Sequence, residues 1–291
     1  AINDVEEKWG KKILSYFNPG EVSAREMLGK TSTNIKGYSE GRDFPIKNNT
    51  SQLSPYIARG ELSVNEIFYL MRKNKKKINI NDYAKFTSQL GWREFSYNIL
   101  YNFPKLPRKN FISKFDNFPW SKNSKLLNLW KKGLTGYPIV DAGMRELRTT
   151  GYMHNRVRMI VASFLIKNLN ISWVEGAKWF WENLFDADIA NNSSGWQWVA
   201  GCGTDAAPYF RIFNPTLQSV RFDKDGEYIR KWVPELKDLP NKLIHSPWEL
   251  TEMELLTYDV KLGKDYPHPI VDHKTTRDEA LRNYKKINIA K

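Results

Sequence analysis

The spacing of apolar residues is the feature that most constrains the fold of this chain. Between positions 156 and 169 apolar side chains recur every three or four residues, at Val157, Ile160, Val161, Phe164, Leu165 and Leu169. That period corresponds to one face of an α-helix. A second stripe of the same period lies in 172–185. Sustained alternation with a period of two, the pattern of a half-buried strand, is scarce. The sequence therefore predicts a mostly α-helical protein.

Local signals mark where several helices begin. Pro138 stands ahead of an apolar stripe, at a position that suits the first turn of a helix. Ser63 and Glu66 have the spacing of a capping box. We expect one all-α domain over the whole chain. Residues 1–37 would form lead-in helices, residues 38–215 the motif-bearing core, and residues 267–291 a polar, partly disordered tail.

Composition restricts the partners. The 45 Lys and Arg residues exceed the 32 Asp and Glu residues by a net charge of +13 at pH 7. Such an excess favours a polyanion, with nucleic acid ahead of an anionic membrane surface. No apolar run approaches the ~18 residues of a transmembrane helix. Cys202 is the single cysteine, so an intrachain disulfide and a Cys-rich zinc site are excluded, and the four histidines are too scattered to indicate a metal.

One segment lacks the amphipathic pattern of the rest of the chain. Residues 186–215 read DADIANNSSGWQWVAGCGTDAAPYFRIFNP. Local pattern that folding does not require is typical of a functional site. Amides such as that of Asn192 suit the edge of a planar heterocycle, and Trp196 and Trp198 add stacking surface. Asp186 and Asp188 could hold Mg²⁺ or cap a helix end, and their spacing alone favours the cap.

This segment and five others resemble motifs of the photolyase/cryptochrome family, and they follow the family's order. The motifs are GRDFP (41–45), TSQLS (50–54), WREF (92–95), TGYPIVDAGMREL (135–147), MHNRVRM (153–159), DADIANNSSGWQW (186–198) and GTDAAPYFRIFNP (203–215). The resemblance covers about 38–215 and implies the helical FAD-binding domain of that family. The α/β antenna domain that usually precedes it is missing from this sequence, so no antenna pigment is expected on this chain.

The resemblance implies FAD, active as FADH⁻, held in a U shape. The TSQLS motif would cradle the diphosphate through hydroxyl and backbone N–H groups, those of Thr50, Ser51, Leu53 and Ser54. A plain helix N-cap is the other reading of that motif. Arg158 and Asp186 would form an ion pair near flavin N5, and Asp188 would accept from N3–H. Further cofactor contacts are implied for Tyr38, Arg93, Asn155 and Asn192. Gln52 stands where the family often has Arg.

The resemblance also assigns electronic roles. Trp196, Trp173 and Trp120 match the family's electron-transfer triad, although any one of them alone would be read as a core residue. Asn192 would face flavin N5. DNA-repairing members resemble this chain in having Asn there, whereas plant cryptochromes tend to have Asp and animal cryptochromes Cys. Asn192 therefore favours DNA repair over signalling.

The remaining candidates concern a damaged DNA substrate. Trp92 and Trp198 match the aromatic walls on which a flipped pyrimidine dimer rests, and Met159 matches a residue that contacts the dimer. Arg156 and Arg211 are candidates for phosphate contacts, with a plain surface arginine as the alternative. Gln89 stands where members acting on cyclobutane dimers usually have Glu and members acting on (6-4) photoproducts have Gln. The His pair of the (6-4) enzymes is missing, because Asn155 and Met159 occupy its positions.

Together these features predict a carbon–carbon lyase that repairs cyclobutane pyrimidine dimers in UV-damaged DNA by light-driven electron transfer. We expect a monomer in the bacterial cytoplasm, with DNA as partner and without a metal or a membrane. Three alternatives stay open. They are a cryptochrome-like blue-light photoreceptor that signals through a protein partner, repair of (6-4) photoproducts, and a flavoprotein fragment that binds FAD and DNA but turns over poorly.

Overall fold

The computed structural model describes residues 10–289, except 12, 34, 48 and 207–209. This part of the chain contains no β-strand, and two isolated bridges join Ser121 to Ile171 and Leu262 to Tyr266. The all-α prediction is thus confirmed. None of the helices in the described ranges combines the length and the apolarity that a membrane span requires.

The helices vary from a single turn to more than six turns. Those with fully described bounds are α1 (Glu21–Thr33), α2 (Tyr38–Gly41), α3 (Ser54–Ala58), α4 (Val64–Asn74), α5 (Ile80–Asn102), α6 (Ser124–Lys132), α7 (Pro138–Thr150), α8 (Asn155–Ser163), α9 (Trp173–Asn183), α10 (Ile189–Ala200), α11 (Pro215–Phe222), α12 (Glu227–Trp232), α13 (Glu252–Leu256) and α14 (His273–Ile289).

Several boundaries follow the local signals of the sequence. Pro138 is the first residue of α7, and the side chain of Ser63 caps α4 by accepting from the backbone N–H of Glu66 at 3.0 Å. The two apolar stripes lie on α8 and α9, as predicted. The stripe of α8 continues through one π-helical turn over Phe164–Asn168.

The C-terminal region differs from the prediction. Composition predicted a partly disordered tail, but residues 273–289 form α14. Ala280 is buried, and Tyr284 stacks on Phe210 with ring centroids 4.5 Å apart. The amide Nδ2 of Asn168 donates to Thr276 Oγ1 at 2.9 Å. The prediction was wrong because it weighed the many charged residues and overlooked the few apolar ones, which are spaced along one helix face.

Buried apolar side chains form two clusters. The smaller cluster joins α1–α4 to the first half of α5, which contributes Phe86 and Leu90. The larger cluster lies among α6–α14. Polar contacts connect elements of the two clusters. Ser54 Oγ donates to Asp186 at 2.7 Å, and Arg93 pairs with Asp188 at 2.8 Å. The clusters therefore meet at residues that the sequence assigns to a cofactor.

Glu146 on α7 holds a buried carboxyl group whose ionisation is linked to folding. The hydroxyl of Tyr228 donates to its Oε2. Burial raises the Glu146 pKa from 4.5 to about 7, although the bond from Tyr228 and the backbone N–H of His154 oppose this shift. The folded protein therefore keeps a proton that the unfolded chain releases. Stability should fall as pH rises from 4.5 to about 7 and show no further change from this group above that range.

Glu146→Gln removes this titration and keeps an acceptor for Tyr228. We compare the free energy of unfolding of the variant with that of the wild type. The variant minus the wild type should be about 2 kcal/mol larger at about pH 8 than at about pH 5. Urea unfolding at the two pH values measures it. Asp223, whose pKa burial raises to about 6, titrates in both proteins and cancels in the comparison. An identical pH dependence of the two proteins would show that Glu146 is ionised in the folded state.

Candidate cofactor and substrate site

Asp186 is the centre of a buried polar cluster in the turn between α9 and α10. Its Oδ2 accepts from Ser54 Oγ at 2.7 Å and from the guanidinium of Arg158 at 2.9 Å. Arg158 also donates through Nε to the carbonyl oxygen of Met153 at 2.7 Å, which fixes the orientation of its guanidinium. The other carboxylate oxygen of Asp186, Oδ1, is buried and has no partner within the described residues. A buried acceptor of this kind needs a donor, so the cluster is suited to bind a group with an N–H or O–H.

Asp188 forms a second charged cluster at the start of α10. Its Oδ1 accepts from the backbone N–H of Asn191 at 2.8 Å, which makes it the N-cap of the helix. Its Oδ2 accepts from Arg93 at 2.8 Å and from the hydroxyl of Tyr97. Burial alone would raise the Asp188 pKa, but these hydrogen bonds and the charge of Arg93 lower it. Asp188 is therefore a carboxylate at neutral pH, ready to accept a hydrogen bond.

The interpretation of Asp186 and Asp188 as helix caps is correct for Asp188 only. Asp188 caps a helix, as the spacing favoured, whereas Asp186 does not cap one and instead pairs with Arg158. In the described stretches of the chain, no three His, Cys, Asp or Glu side chains come close enough together to hold a metal ion.

Four other predicted cofactor residues are buried or half-buried. Leu53 and Tyr38 are buried, and Tyr38 packs edge-on against Phe86 at 5.5 Å. Thr50 and Ser51 are half-buried. Leu53 is the N-cap of α3 and makes no side-chain cap, so the TSQLS motif is not the plain N-cap that local chemistry alone allowed.

Two predicted cofactor residues differ in how firmly they are held. The amide Nδ2 of Asn192 donates to the carbonyl oxygen of Ala177 at 2.9 Å, which ties α10 to α9 and orients the side chain. Asn155 is exposed, and its Nδ2 lies 3.9 Å from the sulfur of Met159. Asn192 is therefore held in place by a contact between two helices, whereas Asn155 is exposed to solvent.

The three predicted electron-transfer tryptophans differ in burial. Trp196 and Trp173 are buried, and Trp120 is half-buried against Phe118, with ring centroids 4.3 Å apart. Trp173 Nε1 donates to Asn110 Oδ1 at 2.9 Å. The N–H of Trp196 is buried and has no partner within the described residues.

Gly176 makes room for the Trp196 ring. A Cβ at this position would lie 2.1 Å from Cη2 of Trp196 and 2.7 Å from Cδ2 of Leu165. We expect Gly176→Ala to lower the free energy of unfolding by about 1–3 kcal/mol and to shift the tryptophan fluorescence. Gly195→Ala on α10 is the matched control, because a Cβ there has no heavy atom within 4 Å. An unchanged thermal midpoint in Gly176→Ala would mean that the ring packs elsewhere.

The predicted substrate residues are exposed or half-buried. Trp92 on α5 is 50% exposed, with its ring centroid 5.7 Å from that of Phe95. Gln89, about one turn earlier, donates through Nε2 to the carbonyl oxygen of Lys85 at 3.2 Å. Met159 and Trp198 are half-buried, and Trp198 Nε1 donates to the carbonyl oxygen of Asp205 at 3.0 Å. An exposed tryptophan of this size is a surface on which a planar ring can stack.

The two candidate phosphate contacts have different surroundings. Arg156 pairs with Asp43 at 2.9 Å, its side chain is 18% exposed, and its guanidinium lies 4.3 Å from the ring centroid of Phe222. Arg211 is exposed. Arg156 is thus a fixed cation rather than the plain surface arginine of the alternative reading.

Sequence reasoning missed three residues that hold this site together. Tyr97 donates to Asp188, Asn110 accepts from Trp173, and Asp43 pairs with Arg156. Tyr97 could have been found, because it follows Arg93 by four residues and so lies on the same helix face. The contact of Asn110 with Trp173 spans 63 positions of the chain, and no local pattern indicates it.

Comparison with known proteins shows the family to which the chain is similar. The family model of the FAD binding domain of DNA photolyase matches residues 86–286. A deoxyribodipyrimidine photo-lyase of Agrobacterium fabrum is 50% identical over 280 residues, which are 96% of this chain and 58% of that protein. The chain therefore spans little more than half the length of this relative.

Two solved structures have the same fold. A bacterial class III photolyase from Agrobacterium tumefaciens superposes with a TM-score of 0.94 at 49% identity, over 97% of this chain and 59% of that one. A Synechocystis cryptochrome has a TM-score of 0.86 at 37% identity, over 91% of this chain and 56% of that one. With the polar clusters around Asp186 and Asp188, these matches establish that the chain belongs to the family of the FAD-binding domain of DNA photolyase.

Proposed function

We propose that this chain binds FAD and uses light to split cyclobutane pyrimidine dimers in DNA. The observation that carries the proposal is the buried cluster in which Arg158 and Ser54 hold Asp186, while its Oδ1 has no partner among the residues that the structure describes. A flavin supplies ring N–H groups that such an acceptor can bind. The curated relatives of this chain are named as deoxyribodipyrimidine photo-lyases, which supports the same reaction.

The residues of this chain would divide the tasks of holding the cofactor. Bound FAD in its reduced form would supply the electron for the repair. Asp188 would accept from flavin N3–H, Arg158 and Asp186 would place one positive and one negative charge near N5, and Asn192 would offer its amide to N5. The TSQLS backbone and hydroxyls would take the diphosphate. Tyr38 would pack beside the cofactor.

Other residues would serve the substrate and the supply of electrons. Trp92 and Trp198 offer aromatic faces to a base that has left the stack, and stacking offsets part of the few kcal/mol that flipping costs. Met159 would contact the dimer, and Asn155 lies beside it. Trp120, Trp173 and Trp196 would carry an electron inward when the cofactor is oxidised. The +13 charge favours binding to the DNA backbone.

The decisive experiment follows repair in light and in darkness. Purified, reduced protein loaded with FAD is incubated with an oligonucleotide that contains one thymine dimer. We expect intact thymines in the illuminated sample only. FAD bound without any repair would contradict the proposal and would favour a photoreceptor. That second candidate rests on the likeness to a Synechocystis cryptochrome.

Gln89 provides a test of lesion specificity. Gln89→Glu introduces the residue that members acting on cyclobutane dimers usually have. A protonated Glu and a Gln can both donate to a thymine carbonyl, so we expect repair of cyclobutane dimers to persist in both proteins, with a pH dependence in the variant only. Initial repair rates at several pH values measure this. Rates that respond to neither the substitution nor pH would place Gln89 away from the lesion.

We infer in addition that the protein works as a monomer with damaged DNA as its partner. A bacterial cytoplasmic location fits this function, because the DNA is there and the compared photo-lyases include those of Agrobacterium fabrum and Escherichia coli. Size-exclusion chromatography with light scattering tests the monomer.

A further inference from the structure

A second cavity lies beside the TSQLS motif, lined by residues of α1, α3, α7 and α12. Its volume is about 510 Å³, and sites for small ligands have volumes of about 300–1,000 Å³. Among the described residues proposed to hold FAD, only Thr50 lines it, whereas Asp186, Asp188 and Asn192 do not. The cavity is therefore large enough for a ligand of its own, apart from the cluster around the two aspartates.

A row of four aromatic rings forms one wall of this cavity. Tyr152 stacks on Phe185 with ring centroids 5.7 Å apart, and Phe185 stacks on Phe17 at 4.9 Å. Phe17 in turn lies 4.8 Å from Tyr56. Tyr56 is buried, and the other three rings are half-buried. Because neighbouring rings fix one another, the row offers a rigid aromatic surface on which a planar ligand can stack.

Two N–H donors of the lining residues lack an acceptor. Nε1 of Trp232 is buried and has no partner within the described residues. His154 is 4% exposed, and its Nδ1 accepts from the backbone N–H of Arg156 at 3.2 Å, so the ring proton lies on Nε2. That Nε2 is also buried without a partner in the described part of the chain. Buried donors need acceptors, so a ligand with lone pairs would satisfy them.

The charges of the cavity favour an anion. Lys30, Lys47 and Lys231 line it, and Glu26 and Glu146 are the acidic side chains among the described lining residues. Burial raises the Glu146 pKa to about 7, so at lower pH this carboxyl group is mostly neutral. Three lysines then face one carboxylate, an excess of two positive charges.

We propose that this cavity binds a mononucleotide, with the base on the aromatic row and the phosphate toward the lysines. The proposal does not depend on FAD binding or on repair. Ring nitrogens, carbonyl oxygens and phosphate oxygens of such a ligand are all acceptors for the N–H groups of Trp232 and His154. An aliphatic phosphate would leave the aromatic row uncovered, and an uncharged heterocycle would leave the excess of positive charge without a counterion.

The test measures binding of FMN to the full chain saturated with FAD, at about pH 6, where Glu146 is mostly protonated. FMN has a planar ring system and one phosphate, and its fluorescence falls when the ring stacks on an aromatic side chain. We expect saturable quenching by the protein. Riboflavin, which has the same ring and no phosphate, should bind more weakly. FMN that binds to FAD-free protein alone would occupy the cofactor site and would overturn the inference.

Trp232→Phe removes one unpartnered donor and keeps an aromatic ring. We expect the affinity for FMN to fall by about three- to tenfold, the effect of one hydrogen bond. Trp179→Phe is the matched control, because Nε1 of Trp179 is also buried without a partner in the described residues, and Trp179 does not line the cavity. The control should bind FMN as the wild type does.

A double variant tests the charges independently of the ring. Lys30→Gln/Lys47→Gln should weaken binding of FMN and leave that of riboflavin unchanged. Lys73→Gln/Lys76→Gln removes the same charge from exposed lysines at the end of α4, outside the cavity, and should change neither. Thermal unfolding shows whether each variant is folded.

The outcomes separate this inference from the proposed function. Equal FMN affinity in the wild type and in both folded cavity variants would overturn the inference. Repair of dimers by a protein that does not bind FMN would also overturn it and leave the proposed function intact. FMN binding that Trp232→Phe weakens, in a protein that neither retains FAD nor repairs dimers, would support the cavity and contradict the proposed function.

Discussion

Trp196→Phe is expected to abolish photoreduction of bound oxidised FAD while repair by pre-reduced protein continues. Trp196 is buried between Phe180, at 4.9 Å, and Trp130, at 6.3 Å, on the helix that also holds Asn192. Indole is readily oxidised and a phenyl ring is not, so the substitution interrupts electron supply and leaves an aromatic ring in the core. Repair in the proposed reaction returns its electron and does not need this supply.

The measurement is the flavin absorbance during illumination with an external reductant. Trp248→Phe is the control, because Trp248 packs on Tyr137 in the larger cluster and has no proposed electronic role. Thermal unfolding of both variants checks that the loss is not one of folding. Unchanged photoreduction in Trp196→Phe would remove Trp196 from the electron path, and loss in the control as well would indicate a general effect of core substitution.

Asp186→Asn should reduce FAD affinity by about one to two orders of magnitude. The carboxylate of Asp186 is the ion-pair partner of Arg158, and both contacts to its Oδ2 are shorter than 3.0 Å. Asn is nearly isosteric but uncharged, so the substitution leaves the Arg158 charge without its counterion. The cofactor also loses a hydrogen bond to a charged acceptor, which contributes about 1.5–3 kcal/mol, and about 1.4 kcal/mol corresponds to a tenfold change in an equilibrium constant.

Flavin content after purification and a titration with FAD measure this effect. Glu235→Gln is the matched control, because Glu235 pairs with Arg145 at 2.7 Å and has no role in the proposed cofactor site. The control should change the thermal midpoint without changing FAD affinity. If Asp186→Asn retains a full complement of flavin, the cluster around Asp186 does not hold the cofactor.

The sequence predicted well whatever depends on neighbours along the chain. Apolar residues three and four positions apart placed α8 and α9, and Pro138 marked the start of α7. The order of the motifs led to the correct family. Ser63 caps α4 as predicted. Each of these signals lies within one helix or one turn, where geometry is nearly independent of the rest of the molecule.

The prediction from composition failed at α14, which it took for a partly disordered tail. The prediction of a disordered tail used composition, which counts charges but ignores which face of a helix they occupy. Tyr284 and Ala280 lie one turn apart and pack against the core. The helix is stable because Phe210, 74 positions earlier, provides a ring for Tyr284 to stack on.

The sequence by itself thus determined the helical class, several helix starts and the family. The family resemblance implied the pairing of Arg158 with Asp186, and the tertiary structure alone decided the other charged pairings of the site. Arg93 meets Asp188 across 95 positions and Ser54 meets Asp186 across 132, so two aspartates that are two positions apart in one motif bind different partners. The tertiary structure also decided that Thr50, Glu146 and Trp232 line one cavity. Helical periodicity is a local property, whereas these pairings depend on how whole helices pack, and no spacing along the chain encodes them.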